Sequence, residues 1–474
     1  MDIKNQSSGK SHAYLGVFSL AMINCAAVIN LRNLPSMAEY GLGMVAFYIF
    51  SVIFFLIPTA LVSAELATGF PEEGGIANWV SKAMGGLWGF LAVWLQLFSN
   101  IVGFPASLAY LASIMAYATG YPTLAENNYY IFFVILAVTW GGTWITLRGI
   151  RLASFVTNMG SIFGTIIPGI IITALGIAWL AVGHEPNTEL SFSALSPALD
   201  SPEKFVFLLN VFLGFAGLEM SAAHAHDVNN PQRDYPRAIL LSAFLIFVIS
   251  LLGSLAIAVS VPQKILTLES GVIQAIEALC MQFGIPWLTK WVIWLMAFGV
   301  LGWFVAWVSG PARGMLATAK TGNLPPSLQK MNAQGMPSSI IIWQAITITL
   351  FSFIFLVIPS VTKCFWILVA ITAQTMLIMY ILMFAAGIIL KFKYPDVKRT
   401  YTVPFGNLGM IAIGVTASII CAICYIIGFL PPEEIHFESK TTYILLMIAG
   451  NIMAMLPPFI IAHFRKPSWK NNTL

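Results

Sequence analysis

The stretch that decides the fold is VINLRNLPSMAEYG, residues 28–41. It falls where the first apolar segment of the chain should be finishing a membrane crossing. Arg32 interrupts it, with Asn30 and Asn33 beside it and Pro35 just after. A charge within hydrocarbon is expensive and faces a cavity or a partner when it occurs. Proline removes a backbone donor and breaks a helix interior. The stretch therefore reads as a span broken on purpose.

The rest of the sequence supports a membrane setting. Of the 474 residues, 58% are hydrophobic and 9% are charged, against about 25% charged in an ordinary soluble domain. Apolar runs long enough to span recur near residues 13–34, 42–68, 86–117, 128–147, 153–182, 204–223, 238–260, 288–319, 338–358, 364–391, 407–429 and 441–463. The expectation is an all-α membrane protein with twelve transmembrane helices. Residues 1–12 and 465–474 are short polar tails, expected on the cytoplasmic side, around a transporter domain at 13–464. With the N-terminus inside, seventeen of the 23 Lys and Arg fall on the cytoplasmic side, as the positive-inside rule requires. The loop KFKYPDVKRTY marks that side most clearly.

Other functions lack their residues. No P-loop pattern occurs, and no stretch between spans has room for a nucleotide-hydrolysing module. Neither H-E-x-x-H nor G-x-S-x-G occurs, which argues against a membrane-embedded enzyme. No basic run is dense enough for nucleic acid. The five cysteines read as packing residues, with Cys280 in a loop region. His224, His226 and Asp227 resemble metal ligands at first sight but read as the end of the sixth span. No removable leader is evident after the N-terminal tail.

The sixth span is interrupted like the first. NVFLGFAGLEMSAAH carries Gly214, Gly217 and the ionisable Glu219. Breaks at corresponding positions of two halves point to a midplane binding site in transporters. Broken helices free backbone N–H groups that attract a carboxylate and carbonyls that attract an ammonium. An amino acid carries both groups.

GLEMSAAHAHDVNNPQRDYPRA resembles the sixth-helix signature of bacterial glutamate/GABA antiporters, within the amino acid–polyamine–organocation superfamily. IPTALVSAELATG, SGPARGMLATAKTGNLPPSLQKMNAQGMP and KYPDVKRTYTVPFG carry the same resemblance, which runs from about residue 12 to 465. It implies a LeuT-like architecture. Two inverted five-helix repeats, about 13–182 and 204–391, precede two extra helices at 407–463. It implies exchange of external glutamate, or another amino acid, for internal GABA or a related amino acid by alternating access. It implies functional coupling to a cytosolic amino acid decarboxylase, location in the cytoplasmic membrane, no cofactor and no nucleic-acid partner. The oligomeric state stays open. A proton-coupled symporter or a neutral amino acid exchanger of the same superfamily is the alternative.

Residue by residue, the resemblance places Glu219 near the substrate, Trp307 over the pocket and Tyr380 along the path. Ala216 and Gly217 fall at the sixth-helix break, and Ile29 and Asn30 near the first. Arg32 and Asn33 stand where this family has a tyrosine followed by a glutamate. Trp303 replaces an acid and Met376 a tyrosine. These departures make the expected pocket more basic and more apolar. Arg32, a turn past the first break, suits a carboxylate bidentately; the bland alternative is that it reaches the outer headgroups. The C-terminal HFRKPSWKNNTL lacks the long His-rich plug of the acid-resistance antiporters, so acid gating of that kind is not expected.

Overall fold

The computed structural model describes residues 16–71, 74–196, 202–219, 231–433 and 435–470. His224, His226 and Asp227 lie outside the described residues. Among those described the chain is helical, with no strand.

Two short helices open it, α1 (Val17–Val28) and α2 (Leu34–Ala38). Then follow α3 (Gly41–Gly69), α4 (Ile76–Met84), α5 (Gly86–Ala118), α6 (Asn128–Leu147) and α7 (Ile150–Ala181). The second half holds α8 (Leu208–Phe215), α9 (Pro231–Ser260), α10 (Gly271–Gln282) and α11 (Pro286–Asn323). It ends with α12 (Ser338–Val357), α13 (Val361–Lys393), α14 (Gly406–Ile427) and α15 (Lys440–His463).

Ten of these helices are long and apolar enough to cross a membrane. The chain is a multi-pass membrane protein. The first and sixth expected spans are not among the ten, because both are broken. The expected boundaries otherwise hold to within a few residues, except that α9 starts earlier. Three helices have no counterpart among the expected spans, the short α2, the amphipathic α4 and the 12-residue α10. Cys280, expected in a loop, is buried within α10. All five cysteines are buried and form no disulfide.

The outer faces stay apolar, with Ile170, Ile177, Ile419 and Leu445 among the exposed side chains. Lipid accepts such a surface where water would not. At the centre α5 packs along α13, and both are almost entirely buried. Small residues permit the closest approaches. A Cβ on Gly103 of α5 would meet Thr372 of α13 at 3.0 Å. A Cβ on Gly164 of α7 would lie 2.2 Å from the Gly299 backbone of α11.

Two proline-linked turns shape α3 and α7. Val52–Leu56 and Ile162–Ile166 are π-helical, and Pro58 and Pro168 follow them closely. Proline offers no N–H to the carbonyl four residues back, and a widened turn accommodates the gap.

Candidate functional site

The first break follows directly from its sequence. Ile29 and Asn30 are extended, so α1 stops at Val28. The Asn30 side chain caps the next turn by accepting the Arg32 backbone N–H at 3.1 Å. Pro35 then sits in the first turn of α2, where its missing N–H costs nothing. The second break uses a different device. Ala216 is extended and Gly217 has φ of 118°, a conformation side chains disfavour. The freed Gly217 N–H donates to the Tyr380 hydroxyl at 2.8 Å and to Glu219 at 3.2 Å. Tyr380 donates in turn to Glu219 Oε2 at 2.6 Å, and Gln96 donates to Oε1 at 3.3 Å. Glu219 is thus a buried carboxyl that fastens the α8 break to α5 and α13.

Between the breaks lies a cavity of about 40 Å³. That is room for a few waters and far below the roughly 300 Å³ at which ligand sites begin. Its walls must part to admit an amino acid. Asn30, Arg32, Ala216, Trp303 and Trp307 line it, as do Asn100 and Ser107. Ile29 lines a smaller adjoining cavity with Tyr110 and Trp303. Gly217, Glu219 and Tyr380 line neither; they stand one layer away, with the Trp307 ring 3.2 Å from where a Gly217 Cβ would sit.

Arg32 is 4% exposed, which removes the headgroup reading. Its Nη1 donates to Ser107 Oγ at 2.7 Å and its Nε to Asn33 Oδ1 at 3.2 Å. The guanidinium lies 5.7 Å from the centre of the Phe365 ring. Ser107 spends its own proton on the Gly103 carbonyl, so a lone pair faces the arginine. Each of these partners is neutral. Among the described residues no carboxylate pairs with Arg32. Buried charges are ordinarily paired. Asn100 adds a buried Nδ2 with no protein partner.

Ser99, Asn100 and Ser107 were not foreseen as cavity residues. Their signal was present: Ser99, Gly103 and Ser107 recur every four residues in an apolar span, one face of a helix. Thr372, Met376 and Tyr380 form the same pattern on α13.

The amino acid permease family pattern matches residues 15–452. The chain belongs to the amino acid permease family. An uncharacterised transporter of Legionella pneumophila is 38% identical over 95% of this chain and 97% of its own. The glutamate/gamma-aminobutyrate antiporter of Lactococcus lactis is 29% identical over 94% of this chain and 90% of its own. A probable agmatine/putrescine antiporter of the same species is 24% identical over 94% of each chain. As a permease, the chain is an amino acid transporter, and its broken helices meet at the cavity just described.

Proposed function

We propose that this permease exchanges external glutamate, or another acidic amino acid, for internal GABA or a related amino acid by alternating access. On this reading the ten long helices and the two broken segments make twelve spans, arranged as two inverted five-helix repeats plus two. Both termini face the cytoplasm, the chain lies in the cytoplasmic membrane, and a cytosolic decarboxylase regenerates the exported partner. Ile29, Asn30, Arg32, Ala216, Gly217, Glu219, Trp303, Trp307 and Tyr380 form the substrate site and its supports.

The observation that carries the reading is Arg32, a buried guanidinium on the cavity wall without an acidic partner among the described residues. The cargo's side-chain carboxylate supplies the missing charge. The same observation weighs against a polyamine cargo, which would bring a second cation to a buried one.

Purified protein in liposomes tests this. Labelled glutamate should enter vesicles loaded with glutamate or GABA and should not enter unloaded ones. No entry with either filling would reject the pair. Entry into unloaded vesicles driven by a proton gradient would favour the symporter. Arg32→Ala should weaken glutamate uptake at least about thirtyfold, the scale of removing one partner of a buried charge pair. Amino acids whose only carboxylate is the α-carboxylate should be affected far less, and equal loss for these and for glutamate would remove Arg32 from recognition of the side-chain carboxylate.

A further inference from the structure

We propose that Arg32 is what couples the two halves of the exchange: closing the site without a carboxylate buries an unpaired guanidinium, so the unloaded carrier returns far more slowly than the loaded one. This rests on the exchange reading above and adds its physical cause.

The closed geometry shows why. Arg32 is held in place by Ser107, Asn33 and Phe365, and all three are neutral. A guanidinium has five N–H donors. Nε and one Nη1 proton are used, and Nη2 has no hydrogen bond among the described residues. One Nη1 proton and both Nη2 protons remain, donors enough to hold a carboxylate. Alternating access requires the site to pass through a state closed on both sides. Around a bound carboxylate, that state buries the guanidinium in an ion pair, and the cargo's ammonium is left to the carbonyls that a broken helix frees. Without a carboxylate, it buries a lone cation. Arginine cannot escape by losing its proton, as a buried lysine does. The unloaded carrier therefore faces a barrier that the loaded carrier does not.

The cargo chemistry fits. Decarboxylating glutamate removes its α-carboxylate and leaves the side-chain carboxylate at the same spacing from the ammonium. Glutamate and GABA thus present one shared group to Arg32, and each can carry the site through closure in either direction. A diamine, having lost its carboxylate altogether, cannot.

The experiment is efflux of labelled cargo from loaded proteoliposomes, into bare medium or into medium with unlabelled cargo. The probe is glutamate, or whichever amino acid the wild type takes up fastest if glutamate is not carried. That substitution would correct the substrate pair without touching the proposal. Wild-type efflux should be at least tenfold faster with external cargo. In Arg32→Gln the ratio should fall toward one, because efflux into bare medium rises. An Arg32→Gln protein that exchanges slowly but keeps the wild-type ratio overturns the proposal. Arg32→Lys gives an independent reading if Arg32→Gln carries no flux. Its ratio should be high at pH 5 and fall by pH 8, as the buried lysine becomes able to deprotonate. A high ratio independent of pH in Arg32→Lys overturns the proposal. Equal wild-type efflux into both media would instead remove the exchange reading itself.

Discussion

Tyr380 supports the second break from outside the cavity lining. Its hydroxyl accepts the Gly217 N–H and donates to Glu219, so one oxygen ties the α8 break to α13. Tyr380→Phe removes both bonds and leaves the buried carboxyl without its shortest partner. The cost is about 1–3 kcal/mol, and it falls on the geometry of the break rather than on the cavity wall. Turnover in the liposome assay should drop about tenfold or more while KM stays close to wild type. A change confined to KM would place Tyr380 on the substrate instead. The sequence marked Gly217 through its residue type and Glu219 through its charge. It could not join them, because Gln96 and Tyr380 lie 123 and 161 positions away in the chain. Arg32 was legible for the opposite reason: a charge in an apolar segment is conspicuous without knowledge of its neighbours. Its burial, and the neutrality of those neighbours, required the fold.

Among the helices, hydropathy was enough to find every long span, because a segment long enough to cross hydrocarbon, whether it faces lipid or the protein interior, must be apolar over about twenty residues. Even the π-helical turns of α3 and α7 have a local sign in Pro58 and Pro168. Which helices touch was not legible, since a glycine on a helix face does not name its partner. Gly160 and Gly164 of α7 meet Gly302 and Gly299 of α11 backbone to backbone. The adjoining cavity lies beside this contact, with Gly164 and Gly299 in its lining. A Cβ on Gly164 would lie 2.2 Å from Gly299, and rigid backbone cannot yield as a side chain can. Gly164→Ala should therefore part the two helices, at roughly 1–3 kcal/mol, and lower the melting temperature in detergent. Gly141→Ala on α6 is the control, with open space where its Cβ would stand. That exchange should leave melting unchanged or raise it slightly, as alanine favours a helix over glycine. Equal melting of the two variants would mean that the α7–α11 contact is looser than its geometry indicates.

At the scale of the whole molecule, α13 is fastened near both ends to buried carboxyl groups, and its middle lines the cavity. At one end Glu65 of α3 accepts from Lys391 at 2.6 Å and from the Val403 backbone at 2.7 Å, with Arg399 Nε at 3.2 Å. One carboxylate thus serves two cations. Glu65→Gln leaves both uncompensated and should cost at least about 3 kcal/mol by denaturant unfolding in detergent. Lys391→Met should cost less, because Arg399 still neutralises Glu65. Near the other end Thr362 donates to Glu269 at 2.9 Å, in the segment before α10. The second oxygen of Glu269 is buried without a partner. Burial, and then the nearby charge of Glu126, push this carboxyl above its usual range. The Glu269 fastening therefore responds to pH. A carboxyl whose pKa is raised by folding holds its proton in the folded state after the unfolded chain, near pH 4.3, has lost it. The folded state then binds more protons, so this contribution is fully present below that pH and is lost as pH rises through the raised value. Glu269→Gln keeps the neutral form at every pH. Melting curves in detergent between about pH 4 and pH 8 should show the wild type losing stability relative to Glu269→Gln as pH rises. The two curves should come together at the acid end, where both side chains are neutral. A constant gap across the range would mean that Glu269 ionises in place and that the α10 end of α13 is open to water.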